Sequence, residues 1–135
     1  MNKNEFLRVA DAIEYSDRFD LNVYAYNKDD INTSFDDAIV LYEVCTSVGC
    51  VCGWVNAIND HRSADDEKFA RQKLDISSIE SKRLFFAQAD SIWSEVAEEY
   101  GWDTCLDGEL VNWSGITAQQ AAEVLRRIAN GELTL

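Results

Sequence analysis

Three of the chain's four cysteines fall within ten residues, and this cluster is the first candidate for chemistry. Cys45, Cys50 and Cys52 have the spacing C-x4-C-x-C, and the further candidate ligands are His61 and Cys105. Cysteine-rich zinc sites usually contain a second pair at matching spacing, which this chain lacks. Cys50 and Cys52 would also lie about 200° apart on a helix, so they are poorly placed to share one metal. The sequence therefore predicts no metal site, and Cys45, Cys50, His61 and Cys105 are only weak candidate ligands.

A cysteine nucleophile is the second chemistry that the cluster could support. A helix N-terminus could lower the pKa of Cys45 or Cys50, and His61 is the chain's one histidine and thus the one candidate for a histidine base. Cysteine is, however, among the most buried residue types, and no phosphate-loop, dinucleotide, nucleophile-elbow or H-E-x-x-H motif is present. We therefore expect buried thiols, no catalytic residue, no cofactor and no enzymatic activity, with a thiol- or zinc-dependent enzyme as an alternative.

The net charge restricts the class of partner. Twelve Lys and Arg against twenty-five Asp and Glu give −13 at pH 7. A field of this sign disfavours direct binding to nucleic acids or to anionic membranes, and it favours a protein partner with a basic surface.

A long interval in the second half of the chain contains acidic residues but no basic ones. Between Arg83 and Arg126 there is no Lys or Arg, and the interval holds Asp90, Glu95, Glu98, Glu99, Asp103, Asp107, Glu109 and Glu123. Carboxylates spaced along a helix and the following loop could imitate the phosphates of a nucleic acid. The predicted partner-binding residues are Glu95, Glu98, Glu99, Asp103 and Asp107 for electrostatic steering and Trp102 as an anchor. The alternative is that the acidic surface confers solubility and that the aromatic residues belong to the core.

Apolar spacing predicts a mainly α fold, namely a single compact helical domain of four to six helices over residues 1–135. Helices are expected over 3–15, from Ser47 to about residue 58, over 77–101 with a capping box at Ser77 and Glu80, and from Thr117 to a stop at Gly131. Residues 61–73 are interpreted as a polar bridge, and a short hairpin within 20–45 is an alternative to an irregular loop.

Two further observations predict the compartment. The first residues lack the long apolar run of a signal peptide, and no stretch reaches the length of a membrane span. We therefore expect a cytoplasmic protein with reduced thiols.

Three short motifs resemble a group of small phage and bacterial proteins. The group combines Cys-Gly-Thr-x-x-Cys-x-x-Gly-Trp with Leu-Gly-Leu-Ser…Leu-Phe and Ile-Thr-x-x-Gln-Ala-Ala-x-x-Leu. The matching residues are Cys45, Cys50, Gly53 and Trp54 in the first motif, Leu74, Ile76, Ser77, Leu84 and Phe85 in the second, and Ile116, Thr117, Gln120, Ala121, Ala122 and Leu125 in the third. The resemblance implies a phage-like origin and a mostly helical fold, and it transfers no catalytic residue.

Taken together, charge, motifs and resemblance predict an acidic, phage-like protein that binds and inhibits a host macromolecule. The expected target is an anti-viral defence protein or a nucleic-acid enzyme, whose basic groove the carboxylates would occupy as a nucleic-acid mimic. If the protein is encoded by a phage, we expect it to bind this target in the cytoplasm of the host cell. A protein that binds or sequesters a small ligand, such as a nucleotide signal, is an alternative, and the oligomeric state is left open.

Overall fold

Helices make up the regular structure of the residues that can be described. The computed structural model describes residues 1–14, 49–61, 66–85, 89–106 and 115–135. In these ranges the helices are α1 (Lys3–Glu14), α2 (Gly49–Ile58), α3 (Glu67–Leu74), α4 (Ser78–Phe85), α5 (Ile92–Tyr100) and α6 (Ala118–Ala129). They pack into a single compact helical domain, which confirms the predicted fold class.

The most extensive helix–helix contact joins α1 and α6. Helical spacing places the apolar residues of each helix on one face, and the residues buried there are Phe6, Val9, Ala10 and Ile13 of α1 and Ala121, Ala122, Val124, Leu125, Ile128 and Ala129 of α6. At the edge of the contact, Nη2 of Arg126 lies 2.8 Å from Oδ1 of Asp11 and 2.5 Å from Oε2 of Glu14. The two ends of the described chain are thereby held together.

The start of α6 has the predicted capping box. Oγ1 of Thr117 accepts the backbone N–H of Gln120 at 3.1 Å, and Oε1 of Gln120 accepts the backbone N–H of Thr117 at 3.0 Å. After the helix, Gly131 adopts a φ of +81°, a left-handed conformation that glycine takes without a side-chain clash. Both helix boundaries could be predicted because each depends on residues within one turn.

Residues 77–101 do not form the one long helix that the spacing predicts. The predicted capping box of Ser77 and Glu80 does begin α4, but α4 ends at Phe85 and α5 begins only at Ile92. Oγ of Ser91 accepts the backbone N–H of Ser94 at 3.1 Å and so starts a new helix. The prediction of one continuous helix was wrong. Apolar residues keep helical spacing across the turn, so the spacing does not reveal the break, which depends on the single hydroxyl of Ser91.

The predicted polar bridge over 61–73 contains a helix, α3. Asp66 caps its start by accepting the backbone N–H of Phe69 at 3.0 Å, and Asp75 ends it with a φ of +53°. Within α3 only Ala70 and Leu74 are buried, so its apolar stripe is too narrow to stand out in the sequence. The polar-bridge interpretation was therefore wrong.

Other predictions fall outside the described residues. These are the hairpin within 20–45 and the start of the predicted second helix at Ser47. Across the described ranges, no helix combines the length and apolar character that crossing a membrane would need.

Truncating the α1–α6 core should destabilise the fold strongly. Leu125 is 1% exposed, so Leu125→Ala is expected to lower the free energy of unfolding by about 2–5 kcal/mol through lost apolar burial and a residual cavity. Leu106→Ala is the matched control because Leu106 is fully exposed, and its effect should stay within about 0.5 kcal/mol. Urea unfolding followed by circular dichroism measures both. Equal losses in the two variants would contradict the assignment of this core.

Candidate functional site

The outer face of α5 carries three of the predicted partner-binding residues. Ile92, Trp93, Val96 and Ala97 point into the core, and the period of 3.6 residues turns Glu95, Glu98 and Glu99 outward, where all three are exposed. These three carboxylates and the nearby Asp103 are together called the acidic surface below.

The chain leaves α5 through a glycine turn that presents Asp103 to solvent. Gly101 has a φ of +74°, and its backbone N–H donates to the carbonyl oxygen of Glu98 at 3.2 Å. Asp103 follows two residues later and is exposed. Asp107, the last of the predicted acidic residues, lies outside the described residues.

Trp102, the predicted anchor, is partly buried against the core. Its ring stacks on Tyr100, with centroids 4.8 Å apart and planes 13° apart. Its indole N–H donates to Oε1 of Gln120 at 3.1 Å, the same oxygen that closes the capping box of α6. The polar group of Trp102 is therefore used within the fold and joins the end of α5 to the start of α6.

Two of the α5 carboxylates have a cation beside them. Nη2 of Arg83 lies 2.5 Å from Oε1 of Glu95, and the two terminal nitrogens of Arg127 pair with the two carboxylate oxygens of Glu99. The hydrogen bonds that Arg127 donates to Glu99 and Tyr100 raise the pKa of Arg127 above its ordinary value, so its charge is permanent. Glu95 and Glu99 thus contribute less negative potential than their number in the sequence suggests.

Tyr100 belongs to the same contact between α5 and α6. Its hydroxyl donates to Oε1 of Glu123 at 2.9 Å and accepts from Nη1 of Arg127 at 3.4 Å. Burial and the neighbouring Glu123 raise the pKa of the Tyr100 hydroxyl, which stays protonated and available as a donor. This hydroxyl helps to fix α5 on α6.

Glu98 and Asp103 differ from these residues. Among the described residues, neither side chain forms a hydrogen bond or an ion pair. Glu98 lies in the last turn of α5, which contains no basic residue. The C-terminal end of a helix carries partial negative charge, so a carboxylate there is unfavourable by about 0.3–1 kcal/mol. Within the described ranges, the two carboxylates of the acidic surface without a partner therefore lie in the last turn of α5 and just after it.

The sequence did not predict the two arginines that pair with carboxylates of this site. Arg83 and Arg127 border the acidic interval, and their partners lie 12 and 28 residues away in the chain, beyond the reach of helical spacing rules. No local signal in the sequence identifies either pair.

The weak candidate ligands are separated or lie outside the description. Cys45 and the side chain of Cys50 are not among the described parts, and Cys105 is exposed. Cys52 is buried, with its sulfur 3.7 Å from Nδ2 of Asn56. Across the described ranges, no three His, Cys, Asp or Glu side chains approach closely enough to hold a metal ion.

His61 contacts the first turn of α3. Its Nε2 lies 2.7 Å from Oδ2 of Asp66, and its ring stacks on Phe69 at 3.9 Å with planes 3° apart. The backbone N–H of His61 donates to the carbonyl oxygen of Asn56 at 2.9 Å. These contacts connect the end of α2 to the start of α3.

The helix cap formed by Asp66 makes the stability of the fold depend on pH. The backbone N–H of Phe69, then His61, hold the pKa of Asp66 below its ordinary value of 3.8. The charged carboxylate therefore stabilises the fold above that pH, and its contribution is lost as the pH falls through the lowered pKa. Asp66→Asn keeps a helix cap but removes the charge, so the variant should be less stable than the native protein at neutral pH and equally stable in strong acid. Urea unfolding across this range measures the difference, and a difference that does not change with pH would refute the charge effect.

Comparison with known proteins supplies no further guidance on this site. No protein-family model matches the chain, and neither does any curated protein or solved structure. The motif resemblance stays a prediction, and the function must be inferred from the acidic surface itself.

Proposed function

We propose that this chain binds a basic surface on another protein and inhibits that protein by occupying the surface. The position of Glu98 is the observation that carries the proposal. Glu98 places a carboxylate that has no partner among the described residues at the negative end of α5, next to Glu99 and five residues before Asp103. Lys or Arg would stabilise the helix at this position. A residue that works against local stability, on an exposed face, is best explained by a role in binding.

The residues of the acidic surface differ in how much unpaired negative charge each can offer to a partner. Glu98 and Asp103 have no cationic partner in the part of the chain that the structure describes, whereas Glu95 and Glu99 pair with Arg83 and Arg127. A cationic partner should therefore contact Glu98 and Asp103 first, and the field of a chain with net charge −13 should steer its approach.

The expected partner is a protein whose basic groove normally holds a nucleic acid. Such a groove binds phosphates spaced along a backbone, and exposed carboxylates along a helix and its following turn offer a similar series of charges. The resemblance to small phage proteins suggests a host enzyme of defence or nucleic-acid metabolism. Binding of this kind is weakened by salt, because exposed charges are screened over about 8–10 Å at physiological ionic strength.

Removal of the uncompensated charges should weaken partner binding. Glu98→Gln with Asp103→Asn removes two negative charges from the acidic surface. Because exposed ion pairs contribute about 0.2–1 kcal/mol each, the affinity should fall about two- to thirtyfold at low salt, and less at high salt. The partner is first captured from a bacterial lysate with the native chain and identified, and the dissociation constant of the purified pair is then measured for each variant at both salt concentrations.

A charge-matched variant separates local from global electrostatics. Asn4→Lys with Gln72→Lys changes the net charge by the same +2, at exposed positions of α1 and α3. This variant should retain most of the native affinity. Equal affinities for the native chain and for the Glu98→Gln, Asp103→Asn variant would overturn the proposed surface, and equal losses in the two variants would show that only net charge matters.

A further inference from the structure

Arg83 joins three segments of the chain through one guanidinium group. Its Nε donates to the backbone carbonyl of Asp90 at 3.1 Å, its Nη1 donates to the backbone carbonyl of Thr134 at 3.1 Å, and its Nη2 pairs with Glu95 at 2.5 Å. The Arg83 side chain is 21% exposed, so most of it is shielded from water. It therefore connects α4, the turn before α5, the outer face of α5 and the residues after α6.

Residues 131–135 form a short strap over the core. The backbone N–H groups of Glu132 and Leu133 donate to the carbonyl oxygen of Arg127, at 2.9 and 3.3 Å. The side chains of Leu133 and Leu135 pack, partly buried, against the core. Beyond these contacts, the bond from Arg83 to Thr134 ties the strap to the α4–α5 junction.

We propose that Arg83 is a latch that couples the 131–135 strap to the acidic surface. The donors of a guanidinium have a fixed planar geometry, so the carboxylate that orients one edge also fixes the direction of the others. Glu95, which is 53% exposed, can be reached by a cation from a partner. A partner that binds Glu95 withdraws this carboxylate from Arg83, and the bond to Thr134 then weakens.

The coupling works equally in both directions. If a cation on Glu95 loosens the strap, then release of the strap must favour the binding of that cation by the same factor. The 131–135 strap would thus regulate the acidic surface without touching the partner. This part of the inference rests on the proposed function, whereas the dependence of the strap on Glu95 does not.

Amide hydrogen exchange tests the latch in the whole chain. Glu95→Gln should accelerate exchange at the Leu133 amide by about two- to fivefold, the range for loss of an exposed ion pair. The amide of Ala121, which donates to the carbonyl oxygen of the cap residue Thr117, should be unaffected and serves as the reference for destabilisation away from the strap. Glu98→Gln is the matched control, because it removes the same charge from the same helix at a side chain with no partner among the described residues. It should leave Leu133 unchanged.

Two results in Glu95→Gln would overturn the latch. One is an unchanged Leu133 rate in Glu95→Gln, and the other is an equal acceleration at Leu133 and Ala121, which indicates global destabilisation. Arg83→Met provides a second test, because it removes all three donors and should accelerate Leu133 at least as much as Glu95→Gln does. An unchanged Leu133 rate in Arg83→Met would also overturn the latch.

A lysine decapeptide tests whether the 131–135 strap regulates binding at the acidic surface. Added to the native chain, it should shift the amide resonances of Glu98 and Asp103 and accelerate exchange at Leu133, and in Glu95→Gln it should give no further acceleration. Binding without acceleration would overturn regulation by the strap and leave the proposed function standing. Absence of binding at the acidic surface would count against the proposed function and its regulation, while the Glu95→Gln comparison would still decide whether the latch exists.

Discussion

The indole N–H of Trp93 donates to the carbonyl oxygen of Leu84 at 2.7 Å, and the position of α5 depends on this bond. Trp93 is fully buried, and Leu84 lies in the last turn of α4, where carbonyl groups lack helical partners. Burying either group without the other would cost about 1–3 kcal/mol. The bond therefore fixes α5 on the end of α4, and it determines which face of α5 is left for Glu95, Glu98 and Glu99.

Once α5 is fixed, neighbouring helices decide how much charge each carboxylate presents. Arg83 comes from α4 and Arg127 from α6, and each reaches one glutamate of α5. Glu98 faces neither of them. Equal charges in the sequence thus become unequal charges on the surface. The proposed binding role follows from this inequality more than from the net charge, which alone would also fit a role in solubility.

Local features could be predicted from the sequence, and tertiary ones could not. The capping boxes at Ser77 and at Thr117 need residues three apart, and helical spacing identifies the buried faces of α1 and α6. The turn before α5 was missed because a single cap at Ser91 prevails over continuous apolar spacing. The pairs Arg83–Glu95 and Arg127–Glu99 were missed because they exist only after α4, α5 and α6 have packed. In the candidate site, the exposed carboxylates could be predicted from the sequence. Their pairing with Arg83 and Arg127 could not.

Trp102 shows how this limit affects the inferred mode of binding. Its residue type is favoured at interface centres, which made it the predicted anchor. In the fold, its ring stacks on Tyr100 and its N–H serves Gln120, so using it as an anchor would require breaking contacts that hold α5 to α6. If Trp102 keeps these contacts in the complex, the affinity would come mainly from exposed charge. Complexes of that kind associate rapidly by electrostatic steering and respond strongly to salt, so the proposed inhibitor would have to compete with nucleic acid for its target chiefly through its rate of association.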